Sequence, residues 1–381
     1  MVKAHKVALL IETSRTSGRE LLRGIAKYSQ IHGPWVLFTE PSGLERILPN
    51  LKNWDVSGII MRDSRRAEEI VALQVPTIVD IHFERSLQHI PRIVTNCKAI
   101  GKLAAEHFIN YGFRRFGYCG YDKFSWSQLR GQAFCDMVAE AGYACHFYKQ
   151  PHLRTSGAWN KEQGAIVDWL KSLTYPVGVL ACNDDRSQNV LQACSLAGLR
   201  VPEDVAILGV DNDDMICDLS YPSLSSISLS FKKAGYDAAA LLDRLMSGEK
   251  MSNQKIPVEP VQIVTRQSTN TLAVKDETVA EALNFIHSNC TRLIQTTDVA
   301  DAVALSRSGL HNKFQRFLGR SVHDEIKRIR TMRIAKMLVD TNLSMSQIAV
   351  DLGCSDVDHL SRYCRKELGM SPLAYRKKYC C

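Results

Sequence analysis

The sequence predicts an α/β front part made of two parallel-sheet lobes, followed by an all-α domain. Three observations predict it. Short β-branched runs alternate with amphipathic stretches through about the first 265 residues; no strand signal returns after the polar passage Gln267-Ser-Thr-Asn-Thr271; and positive charge collects beyond that passage. Residues 278–381 carry 16 Lys or Arg against 10 Asp or Glu, a net +6, whereas the preceding 277 residues carry 32 against 30. The surplus marks the C-terminal quarter as the place for an anionic partner, nucleic acid above all. A length of 381 residues with 45% hydrophobic content allows two or three domains, each large enough to bury a core.

Taken in order, residues 6–11 are predicted as a strand. Residues 18–32 form a helix with Leu21, Ile25 and Tyr28 at helical spacing, and 35–38 form a strand. Further strands are expected at 56–61, 77–80, 92–94 and 116–118, then a helix at 129–141. The runs at 177–181 and 205–210 are continuously apolar strands around a helix at 187–197. Strands separated by helices make βαβ units with helices on both faces, and this many units need two sheets. A ligand site then belongs in the crevice outside the carboxyl ends of the strands.

The apolar run at 7–11 stops at Glu12, too short for a secretory core and far short of the ~20 residues that span a bilayer. A cytoplasmic protein without membrane contact is expected. Twelve cysteines are scattered with no CxxC pair, and Cys380 and Cys381 alone are adjacent. Most read as small buried hydrophobes in a reducing compartment, since neither zinc spacing nor a compact disulfide framework is present.

In the C-terminal quarter two similar units recur. One runs from Thr297 through Ala300 to Ser306 and on from Arg307 to Phe317; the other runs from Ser344 through Ala349 to Gly353 and on from Ser355 to Lys366. Each holds a short helix with a small residue inside, a tight turn, and a second helix opened by a polar cap, the grammar of a helix-turn-helix. The small residue lets two helices cross closely, while Leu310 and Phe314, or Leu360 and Cys364, anchor the second helix. A long basic helix at 324–339 connects the units.

The text Asp340-Thr-Asn-Leu-Ser-Met-Ser-Gln-Ile-Ala349, then Leu352-Gly353, then Ser361 to Arg376 with Gly-Met-Ser-Pro-Leu-Ala-Tyr-Arg at its end, resembles the AraC/XylS family of transcription regulators over about 100 residues. Cys354 and Cys364 stand where that pattern usually has Phe, a difference of packing. The resemblance implies groove-facing residues Ser308, His311 and Asn312 in the first unit and Val357, Asp358, His359, Ser361 and Arg362 in the second. Asn312 suits adenine; Arg362 suits guanine or a phosphate. Asp358 serves either the groove or as a cap of its helix, and His311 and His359 either read bases or are merely solvated. Lys313, Arg316, Arg365 and Lys366 are read as phosphate ligands, which fix register without sequence information, and Arg307 is a further candidate for DNA contact.

The front part carries Val94-Thr-Asn96, Leu129-Arg130-Gly131, Ala181-Cys-Asn-Asp184 and the long phrase from Gly198 to Asn212. These resemble the two-lobed periplasmic-binding-protein-like fold of LacI-type sensors. The joined layout resembles the group of xylose operon regulators, and implies a sensor at 1–268, a linker at 269–277 and a DNA-binding domain at 278–381. Lobe 1 is expected at about 6–119 and 222–250, lobe 2 at about 120–221 and 251–268. A sugar pocket needs carboxylates, amides and a guanidinium converging at strand ends beside an aromatic face. The resemblance puts Arg130 and Asp211 at ligand-contacting positions; Asn183 or Asp184, Asn212 and Trp126 are further candidates, with Glu12, Ser14 and Arg62 on the opposing lobe. Asp184 and Asp211 read alternatively as caps, and Trp126 as core. Arg62 leaves room for an acidic or phosphorylated sugar.

The expected function is a sequence-specific transcription regulator controlled by a small carbohydrate, with operator DNA as partner, RNA polymerase if the chain activates, and a homodimer as the implied assembly. A front part that serves protein interaction or dimerisation without a ligand is the alternative. No catalytic residue, metal or cofactor is expected: phosphate-cradling, nucleophile-elbow and HExxH motifs are missing, although Asp184, Asp185, Asp211, Asp213 and Asp214 were a conceivable carboxylate cluster.

Overall fold

A computed structural model describes residues 4–39, 54–63, 67–82, 87, 90–151, 158–251, 253–270 and 276–379. These fall into two compact units, 4–106 with 115–270 and 107–114 with 276–379. Of the expected linker, 271–275 lie outside the described residues, as do Cys380 and Cys381.

The first unit holds two six-stranded sheets. The first sheet contains β1 (His5–Leu10), β2 (Trp35–Thr39), β3 (Gly58–Arg62), β4 (Thr77–Asp80), β5 (Arg92–Thr95) and β11 (Lys255–Val258), in the order β11-β5-β4-β3-β1-β2. All its described pairings are parallel. The second contains β6 (Phe116–Cys119), β7 (Cys145–Phe147), β8 (Val177–Ala181), β9 (Val205–Asp211), β10 (Ser225–Leu229) and β12 (Pro260–Val264), in the order β12-β10-β9-β8-β6-β7. Only β12 runs antiparallel, against β10.

This topology corrects the expected lobe limits. β6 and β10 belong to the second sheet and β11 to the first, because the chain changes lobe at the strand ends, near Asn96, Ser230 and Glu259. The crossings are laced together: Asn96 donates from its backbone to Val258 O (2.9 Å) and from its amide to Glu259 (2.9 Å), and Ser230 and Glu259 exchange bonds of 2.9 Å.

Helices cover both sheets. α1 (Thr16–His32), α2 (Ala67–Val71) and α8 (Phe231–Met246) pack on the first; α3 (Cys97–Asn110) leads from β5 of the first sheet to β6 of the second, and α4 (Ser125–Glu140), α5 (Ala158–Lys171), α6 (Asp184–Ala197) and α7 (Asp214–Leu219) follow strands of the second. The crossing of α1 and α8 depends on two glycines. A β-carbon on Gly24 would stand 1.9 Å from Lys232 O, and one on Gly235 2.0 Å from Leu21 O. Their absence lets Leu21, Ile25, Ala234 and Ala238 bury completely against β1 and β3. Cys135 on α4 and Cys145 on β7 are disulfide-bonded, a pair the reduced-thiol expectation did not include; the packing of α4 beside the edge strand puts their Cα atoms 5.4 Å apart. Cys119, Cys182, Cys194, Cys217 and Cys364 are free and buried.

The second unit contains α9 (Glu277–Ser288), α10 (Thr296–Ala302), α11 (Arg307–Leu318), α12 (Val322–Asp340), α13 (Met345–Asp351), α14 (Val357–Glu367) and α15 (Pro372–Tyr379). Its two cores share α12. Ile326 and Ile329 pack with Leu283, Val299, Leu310 and Phe314; Ile334 and Leu338 pack with Ile348, Leu352, Leu360 and Cys364. Each helix-turn-helix crosses at a buried alanine, Ala300 and Ala349.

Candidate effector cleft and nucleic-acid interface

The carboxyl ends of both sheets face a cleft of about 570 Å³. From the first sheet it receives Glu12 and Arg15 beyond β1, Arg62 at the end of β3, and Asp80, Ile81 and His82 at the end of β4. The second supplies Tyr121 beyond β6, Asn183 and Asp185 beyond β8, and Asp211 at the end of β9, with Phe124, Trp126 and Arg130 from the start of α4.

Three guanidinium groups and four carboxylates line it, and they are largely matched within the protein. Arg15 grips Asp185 with two bonds, 2.8 and 2.7 Å. Arg62 donates to Asp80 at 3.1 Å and lies 3.6 Å from Glu12. Arg130 donates to Cys182 O and stands 5.2 Å from the Trp126 ring centre. Phe124 and Trp126 stack at 5.7 Å, with the His82 ring against both, at 4.9 and 5.7 Å. Burial, reinforced by Arg62, depresses the His82 pKa, so this aromatic wall is uncharged at neutral pH. Burial pushes the Asp211 carboxyl up to about 6 against the opposing pull of Arg130 and Arg62. Two buried donors, Trp126 Nε1 and Arg130 Nε, have no hydrogen-bond partner among the described residues.

Of the residues singled out from the sequence, Glu12, Arg62, Trp126, Arg130, Asn183 and Asp211 line this cleft; Ser14, Asp184 and Asn212 do not. Ser14 hydrogen-bonds Glu12. Asn212 accepts from Arg266 at 2.9 Å, on the far side of its turn. Asp184 is a buried brace: it accepts from Ser226 Oγ (2.5 Å) and from the backbone of Asp213 (2.7 Å), and a β-carbon on Gly209 would collide with it. Burial raises its pKa well above the ordinary carboxylate range. What it braces is the turn that presents Asp211, where Asp211 and Asn212 adopt φ of 109° and 51°. Asn183 both lines the cleft and caps α6 by accepting from Arg186 N at 2.9 Å. The conceivable carboxylate cluster is dispersed among separate partners, with Asp213 held by Thr16 N and Arg19, and no metal-ligand group of three or more occurs among the described residues.

Asp80, His82, Tyr121 and Phe124 are not among the sequence candidates, and Asp185 is among them only as a member of the carboxylate cluster. Asp80 does carry a sequence signal, since it ends a predicted strand on the side where ligands sit. The aromatic residues gave no signal, because a Phe or Tyr in a loop reads equally as core.

In the second unit α11 and α14 are the second helices of the two helix-turn-helix motifs. Leu310, Phe314 and Leu318 turn α11 inward, leaving Arg307, Ser308, His311, Asn312 and Arg316 exposed; Gln315, passed over in the sequence, completes that face at helical spacing. Lys313 is instead drawn to Asp276, the N-cap of α9, at 2.5 Å, and its hydrogen bond holds that carboxyl below its usual range. On α14, Asp358, Arg362, Arg365 and Lys366 are exposed, with Val357, His359 and Ser361 half-buried beside them. The helix cap is Asp356, which accepts from His359 N at 2.6 Å, so Asp358 is not needed for capping.

Comparison with known proteins agrees with both halves. Residues 105–269 match a family described as a periplasmic binding protein-like domain, and 299–378 match a helix-turn-helix domain. The chain is 29% identical to the xylose operon regulatory protein of Escherichia coli strain K12, over 98% of this chain and 97% of that one. It is 28% identical to the protein of the same name from Haemophilus influenzae, over 98% of each. A solved structure of the xylose-binding transcription activator xylR superposes with a TM-score of 0.63 at 28% identity, covering 99% of both chains.

Proposed function

Starting from a chain that joins a LacI-like two-lobed sensor to an AraC-type helix-turn-helix domain, we propose that it is a sequence-specific transcription regulator controlled by a neutral sugar held in the cleft. The cleft carries this reading. An aromatic wall for a sugar ring stands beside paired carboxylates and guanidiniums. Arg62, which from the sequence left room for an acidic or phosphorylated sugar, is already matched by Asp80 and Glu12. With three guanidiniums against four carboxylates there is no surplus cation for a phosphate. The names of the relatives make D-xylose the first candidate.

Operator DNA is the second partner, met by the exposed faces of α11 and α14. A homodimer, contact with RNA polymerase and action in the cytoplasm complete the reading; no helix among the described residues is long and apolar enough to cross a membrane.

A thermal-shift screen of D-xylose, other pentoses, hexoses, sugar acids and sugar phosphates tests the effector, since a ligand of the folded state raises its melting temperature by mass action. A neutral sugar is expected to shift wild type, and Asp211→Ala is expected to lose that shift. Stabilisation by a sugar phosphate alone would contradict the charge argument. No shift from any compound would favour a front part that acts without a ligand.

A further inference from the structure

The long helix α12 passes from one helix-turn-helix core to the other, and at the junction stands a buried arginine. Ile326 and Ile329 belong to the first core, Ile334 and Leu338 to the second. Between them Arg330 is 6% exposed. Its Nη1 donates to Arg292 O at 2.9 Å, in the turn between α9 and α10 of the first half; its Nη2 donates to Leu352 O at 2.6 Å, at the C-terminal end of α13 in the second. The same Nη2 lies 3.6 Å from Cys354 Sγ, and the guanidinium carbon stands 5.9 Å from the ring centre of Tyr363 on α14.

Apolar contacts tolerate small sliding because they have no direction. A guanidinium does not: it is planar, its donors are at fixed separation, and each bond to a carbonyl is charge-assisted. One such group holding a carbonyl from each half ties the two halves at one distance and angle. Tyr363 extends the tie to the second recognition helix, its hydroxyl donating to Lys327 O on α12 at 3.2 Å. We propose that Arg330 is a positioning residue that fixes the separation of α11 and α14, and thereby the spacing between the two DNA segments the chain reads. This rests on the DNA-reading function proposed above.

The test uses the full chain and a duplex that the wild-type chain selects from a random-sequence pool. Companion duplexes carry one or two base pairs inserted between the two protected segments, or have one segment scrambled. Wild type is expected to bind the inserted duplexes about tenfold more weakly. Arg330→Met and Arg330→Lys, the latter able to serve one carbonyl but not hold both, should bind each single segment as wild type does. Their discrimination between native and inserted spacing should fall below about threefold. Equal binding of native and inserted duplexes by wild type would overturn the proposal without reference to any variant. So would variants that keep full spacing discrimination, or variants that lose single-segment and whole-site binding in parallel, which would mark Arg330 as merely structural. Failure of wild type to select any sequence would overturn the DNA-reading function itself, and this inference with it.

Discussion

Asp211 shows how much of the site hangs on single residues. Its turn has left-handed backbone at two non-glycine positions, which costs on the order of 1 kcal/mol each, and the hydrogen bonds from Asp213 N to Asp184 and from Asn212 N to Ser226 Oγ hold it. The carboxyl it presents has a pKa of about 6, above the ordinary 3.8. The charged form is therefore disfavoured by folding: the penalty is absent below about pH 4 and reaches its full size as pH rises through about 6. In the sugar-free protein, Asp211→Asn should raise stability at pH 8 by about 2 kcal/mol and leave it unchanged at pH 4, as read by urea unfolding at both values. Sugar hydroxyls donating to the carboxylate favour its charged form, so effector affinity should weaken as pH falls below about 6. Asp211, Arg130 and Arg62 were visible in the sequence because each follows an apolar strand or opens a helix. Asp184 looked equally eligible, and only its burial and its bonds to Ser226 and Asp213 distinguish a brace from a ligand.

Among elements, legibility followed the apolar pattern. β8 is buried throughout and β9 up to its last residue, Asp211, so both could be read directly, whereas β10, Ser225-Ser-Ile-Ser-Leu229, could not. Ser225 and Ser226 can be buried because hydrogen bonds satisfy them: Ser225 Oγ donates to Arg266 O at 3.1 Å and Ser226 Oγ to Asp184. Missing that strand misplaced the lobe crossings. The two helix-turn-helix motifs were legible as a repeat, and the structure adds a difference between their turns. Gly353 in the second has φ 60°, a conformation glycine adopts freely; Ala304 in the first has φ 51° and bears the cost of its β-carbon. Ala304→Gly should stabilise the second unit by about 0.5–1 kcal/mol, and Gly353→Ala, whose added carbon meets only Thr291 O at 3.8 Å, should destabilise it by about 1 kcal/mol. Thermal unfolding of the two variants beside wild type measures both signs.

At the scale of the whole molecule, the uneven charge follows a division of labour. The sensor is nearly neutral and matches its cleft charges internally, while the net +6 of residues 278–381 sits with the helices proposed to meet DNA. Within the sensor, hydrogen bonds lace the three crossings between the lobes, and the Arg15–Asp185 and Arg19–Asp213 pairs join opposite lobes. A sugar can change DNA binding only by its differential affinity for the states these contacts separate. The central claim, that a sugar in the cleft controls the DNA reader, is tested most directly by fluorescence anisotropy of a selected duplex. The full chain is titrated with and without a saturating amount of the sugar that gives the largest thermal shift. The affinity of wild type for DNA should change at least about fivefold, in either direction, and that of Asp211→Ala should not change. Wild-type affinity indifferent to saturating sugar, or an Asp211→Ala response equal to that of wild type, would contradict the account.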